Sequence, residues 1–137
     1  MKVLVYCFVM ASVLGWIVEV AYRSIKAGRF VNPGFLSGCY LPIYGFGMLL
    51  ILAVHAVTAD YALPVKVLAY FIALGGLEFV SGWLLDRLFN IRLWDYFDQR
   101  FHIKGYVSLS FSFYWACLAL AVDVSMGTIA PYVSSAL

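Results

Sequence analysis

Charge is what this chain has least of. Asp, Glu, Lys and Arg make up 12% of its 137 residues, against 65% hydrophobic. Soluble domains carry about 25% charged residues, so this composition excludes an ordinary water-soluble domain. The same scarcity, set beside so much apolar surface, excludes a disordered chain. No basic run is present and the formal net charge is only +2, which removes nucleic acid from the partners to consider. Histidine and cysteine are scarce too. His55 and His102 stand alone and read as packed or hydrogen-bonded side chains. No C-x-x-C or H-E-x-x-H spacing occurs, so neither metal nor cofactor is expected. Cys7, Cys39 and Cys117 cannot all pair with one another. Cys7 and Cys117 fall in apolar runs and read as free structural thiols. The chain also lacks a Walker A motif, so it does not itself hydrolyse ATP at a P-loop.

What the chain does have is long apolar runs. A hydrocarbon core about 30 Å thick needs about 20 helical residues. Four segments approach that length: residues 3–22, 41–57, 67–85 and 105–122. They predict an all-α membrane protein of four transmembrane helices, forming one integral membrane domain over residues 1–137. The first run follows a single lysine, Lys2, and continues through Trp16 and Glu19 with no A-x-A cleavage signal. It therefore reads as a retained span rather than a signal peptide. Residues 123–137, with Gly127 and Pro131, read as an interfacial or loose tail. So short a chain leaves no room for a soluble catalytic domain.

Basic residues orient the spans. The first and third loops hold Arg23, Lys26, Arg29, Arg87, Arg92, Arg100 and Lys104, whereas the other side holds only Lys2 and Lys66. By the positive-inside rule, loops one and three are cytoplasmic and both termini lie outside. Each half then consists of a span with a carboxylate near its cytoplasmic end, a basic aromatic loop and a second span. Arg29-Phe30-Val31-Asn32 echoes Arg87-Leu88-Phe89-Asn90. Two parallel two-helix repeats would produce this pattern, and so would any pair of membrane hairpins.

Glu19 and Glu78 are the residues most in need of explanation. An ionisable group within a span costs several kcal/mol unless it is paired or wetted. Glu19 and Arg23 are four apart and share a helix face with Gly15. Glu78, Gly82 and Asp86 make a similar stripe. Gly75 and Gly82 bracket Glu78 and would let another backbone approach closely, within the chain or in a second copy. The two stripes are expected to face one polar cavity open to the cytoplasm, as a substrate or ion site or as ion-pair anchors for packing. The first loop contains Asn32, Pro33, Gly34, Phe35, Gly38, Pro42, Tyr44 and Gly45. Its helix breakers, set among apolar residues, suggest a re-entrant segment, with a plain hairpin loop as the alternative. The third loop carries Asp86, Arg87, Arg92, Trp94, Asp95, Tyr96, Asp98, Arg100, His102 and Lys104. Its balanced charges favour ion pairing, and its aromatics suit the headgroup level. Asp95, between Trp94 and Tyr96, is harder to explain as an anchor. The candidate substrate- or ion-binding residues are thus Glu19, Arg23, Asn32, Tyr44, Glu78, Asp86, Arg87, Trp94 and Asp95.

The residues Gly15-Trp16 with Glu19, Asn32-Pro33-Gly34 and Pro42-Ile43-Tyr44-Gly45-Phe46-Gly47 carry a resemblance. So do Glu78, Gly82, Leu93-Trp94-Asp95-Tyr96, Gly105 and Ser108-Leu109 in the second half. In order and spacing they resemble the ABC-transporter type IV permease family, the CmpB-like bacterial integral membrane proteins. The resemblance covers nearly the whole chain. It implies a permease in the bacterial inner membrane, with any ATPase supplied as a separate subunit. The small size would favour a homodimer. Three functions stay open: a small transporter, a non-catalytic subunit of a larger membrane complex, and a membrane enzyme acting on a lipophilic substrate through its carboxylates.

Overall fold

The computed structural model describes residues 1–34 and 36–135, with side chains through residue 128. It is mostly helical. Helix α1 is Lys2–Ala27, α2 is Pro42–Thr58, α3 is Leu63–Phe89 and α4 is Leu109–Ser135. A two-stranded antiparallel hairpin precedes α4: β1, His102–Ile103, pairs with β2, Val107–Ser108. Three helices are long and apolar enough to cross a membrane. Large apolar side chains such as Ile17, Val18, Leu68, Ile72, Val80 and Val124 are half or more exposed on them. Surfaces of that kind suit lipid and not water. The chain is a membrane protein built of four helices.

Local sequence accounts for the helix ends. Pro42 opens α2 and Pro64 falls in the first turn of α3, positions that need no backbone donor. Gly28 and Asn90 close α1 and α3 in the left-handed conformation, at φ 65° and 53°. α2 has 17 residues, which gives a rise of about 25 Å, short of the hydrocarbon thickness. The expected loose tail is corrected by α4, which runs on to Ser135 without a break at Gly127 or Pro131. That helix also starts later than residue 105. Gly105, at φ 74°, makes the hairpin turn instead. Phe35 of the first loop and residues 136–137 of the tail lie outside the described residues.

Packing follows the chain: α1 lies on α2, α2 on α3 and α3 on α4, while α1 and α4 meet marginally at most. The apolar core is Ile51, Tyr70, Leu74, Ala116 and Ala119, from α2, α3 and α4. On α3 the buried stripe is Tyr70, Leu74, Glu78 and Gly82, spaced by four. On α4 it is Ser112, Ala116, Ala119 and Asp123. Gly75 faces Ser112, and Gly82 faces Tyr106 and Trp94. Both glycines are therefore used inside the chain, so they do not argue for a dimer.

Both long connections fold back along the helix they follow. The Leu41 amide donates to the Ser12 carbonyl at 2.9 Å. Ser12 lies fifteen residues before α1 ends, so the first connection returns by about 22 Å before α2 begins. In the second half, Tyr106 packs on Gly82 and Phe79. Ser112, in the first turn of α4, lies beside Gly75, fourteen residues before the end of α3. That is a return of about 21 Å. α2 and α4 thus both start beside the middle of their preceding helices.

Candidate functional site

A cavity of about 740 Å³ opens between α1 and α4, with α2 and the two folded-back connections completing its wall. Glu19 projects into it from α1. One carboxylate oxygen accepts from Arg23 Nε at 2.9 Å, the other from the Tyr44 hydroxyl at 3.1 Å. Arg23 also donates to the Leu93 carbonyl at 3.3 and 3.2 Å, which ties α1 to the second connection. Gly15, one turn before Glu19, faces the root of the Tyr44 ring and makes room for it.

Glu78 reaches the same cavity from α3 and is only 4% exposed. Its Oε1 accepts from the Tyr96 hydroxyl at 2.6 Å. The Trp115 side chain lies near enough to the carboxylate to act on it, while Oε2 makes no hydrogen bond of regular geometry among the described residues. Unmatched buried oxygens of this kind are costly, and each needs an explanation. The Tyr96 ring stacks on Phe111 with centroids 4.7 Å apart, and Tyr44 meets Trp115 at 5.1 Å.

Of the residues singled out from sequence, Glu19, Arg23, Tyr44, Glu78, Trp94 and Asp95 line this one cavity. Trp94 donates to the Tyr106 carbonyl at 2.8 Å. Asp95 accepts from the Phe97 amide at 3.0 Å and lies 3.7 Å from Arg92. Three others lie outside the lining. Asn32 accepts from the Trp16 indole at 2.7 Å. Asp86 accepts from Tyr106 at 2.6 Å and from Arg92 at 3.0 Å. Arg87 is exposed on the last turn of α3. Tyr96 is the residue that sequence reasoning assigned to the headgroup level and left out of the site. The one signal for it was its place beside Trp94 and Asp95.

A second polar cluster lies toward the opposite end of α3, two turns from Glu78. Asp123 of α4 is 8% exposed. It is bonded to His55 of α2, and accepts from Tyr70 at 2.7 Å and Lys66 at 3.3 Å. His55 is thus a hydrogen-bonded side chain, as expected. Asp123 was assigned to the tail, and the apolar residues that recur beyond it, Val124, Met126, Ile129 and Ala130, were the signal that the helix continues.

A family model described as "Putative ABC-transporter type IV" matches residues 6–137. The chain belongs to this family. No curated protein and no solved structure matches it.

Proposed function

For this member of the family, we propose a permease-like role: a four-helix unit of the bacterial inner membrane that binds a solute in the cavity between α1 and α4. The observation that carries the reading is the convergence of Glu19 and Glu78, from helices distant in sequence, on one cavity walled by aromatic rings. In this reading all four helices cross the bilayer, both termini lie outside, and the cavity opens to the cytoplasmic side. The short α2 is completed in depth by the apolar connection that precedes it. Non-helical backbone at such depth is tolerated where it is buried in protein or lines a wet cavity. The similar course of the two halves supports parallel repeats with the site at their interface. A homodimer and a separate ATPase subunit belong to the same proposal.

The non-catalytic subunit reading is supported by one detail. Both Glu19 oxygens are already satisfied within the chain, as a packing anchor requires. Purification from native membranes in mild detergent separates the two. Under the permease reading, mass spectrometry finds a small molecule bound at stoichiometric amounts, and Glu19→Gln with Glu78→Gln loses it while remaining folded. A preparation free of small molecules, bound stably to other membrane proteins, would favour the subunit reading.

A further inference from the structure

Resting on that reading of the cavity, we infer that the solute is a lipophilic organic cation: an ammonium or phosphonium group on an apolar body. It would reach the site sideways through the gap between α1 and α4.

Charge makes the first case. The lining holds the carboxylates Glu19, Glu78, Asp95 and Asp98 against the cations Arg23 and Lys26. Arg23 is committed to Glu19 and to the Leu93 carbonyl. Lys26 is seven residues further toward the end of α1, about 10 Å from the level of Glu19. The deep end therefore presents carboxylate without a free cation beside it. Glu78 lines the cavity, and its carboxylate is held by the Tyr96 hydroxyl on one oxygen, with the other buried beside Trp115 and no Lys or Arg bonded to it among the described residues. A cationic group in the cavity would balance the charge of this carboxylate, whereas an anion would meet a carboxylate in a low-dielectric site.

The walls make the second. Tyr96 on Phe111 lies on one side of Glu78, and Trp115 on Tyr44 borders it as well. Aromatic faces attract cations most when water is excluded, and are the usual means of holding quaternary groups. No cluster of metal-ligating side chains occurs among the described residues, so the ring-lined site suits an organic cation better than a metal ion.

The third is the shape of the opening. Leu14, Val18, Tyr114 and Leu118 line the cavity and are still 54, 60, 66 and 49% exposed. They form the two lips of the gap. In a bilayer these lips face acyl chains, so an apolar body can slide between them while its charged end moves toward Glu78.

Two probes of the same shape and opposite charge test the inference on the purified full-length protein in detergent. Tetraphenylphosphonium is expected to bind saturably and tetraphenylborate not to bind. Glu78→Gln, with size-exclusion and circular dichroism profiles unchanged, is expected to weaken phosphonium binding at least about tenfold. Equal binding of both ions, or phosphonium binding unaffected by Glu78→Gln, overturns the cation assignment. Comparison of the two ions on the unmodified protein decides the matter even if the variant fails to fold. Borate binding that disappears in Arg23→Gln overturns the cation class and leaves the permease reading standing. Binding of neither ion overturns the cation class, and the native-membrane mass spectrometry then judges the permease reading separately.

Discussion

At the scale of single residues, the site depends on fits that leave no slack. A methyl group at Gly15 would collide with the root of the Tyr44 ring, which cannot swing aside as a chain tip could. Gly15→Ala should destabilise the protein by about 1–3 kcal/mol through overpacking and break the Tyr44–Glu19 bond. Thermal unfolding followed by size exclusion would show the loss; an unchanged midpoint would contradict the fit described. Tyr96→Phe removes the 2.6 Å hydrogen bond to Glu78 and leaves only the neighbouring Trp115 side chain beside the carboxylate. It should cost about 1–3 kcal/mol by the same measurement, since a buried acceptor then loses its short hydrogen bond. The Glu19–Arg23 pair was legible in the sequence because four residues make one helical turn. The Glu78–Tyr96 bond was not, because its partners are joined by an irregular connection whose course no periodicity encodes. Asp123 was hidden for another reason: glycine and proline near the end of an apolar run suggested a break, and the helix continued through both.

At the scale of elements, the informative feature is where α2 and α4 start. Hydropathy located all four helices, though α4 ends thirteen residues beyond the expected span, and suggested the return of the first connection. It did not reveal that the second connection also returns. Trp94 and Phe97 read as interfacial aromatics and Tyr106 as part of the fourth span, yet Trp94 and Tyr106 are both packed against α3 at Gly82. Aromatic side chains serve a headgroup zone and a protein interior equally well, so composition alone cannot separate the two. The start of α2 beside the middle of α1 can be checked with a cysteine pair. The Cβ direction of Gly45 points at the Ser12 hydroxyl. Ser12→Cys with Gly45→Cys, with Phe8→Ala to clear the ring that a Cβ at Gly45 would meet at 2.6 Å, in a background lacking Cys7, Cys39 and Cys117, should therefore form a disulfide on mild oxidation. Failure to cross-link in a folded preparation would place α2 elsewhere along α1.

For the whole molecule, orientation is open to a direct test. Asp60, in the turn between α2 and α3, and Asn90, at the end of α3, are both exposed and lie at opposite ends of the bundle. Single cysteines there should label differently with an impermeant maleimide on intact cells: Asp60→Cys from outside, Asn90→Cys only after lysis. The reverse result would invert the seven-to-two distribution of Lys and Arg on which the orientation rests. The marginal contact between α1 and α4 has a mechanical consequence. α2, α3 and α4 are pinned together by the core and by the Asp123 cluster, whereas α1 is held by α2 along one side and tied across the gap by Arg23 on the Leu93 carbonyl. If the gap widens, Arg23 on the Leu93 carbonyl is the polar tie that must break. Spin labels on Leu14 and Leu118 should report a broader and longer distance distribution in Arg23→Gln than in the unmodified protein, while an unaltered distribution would show that α1 is fixed by α2 alone.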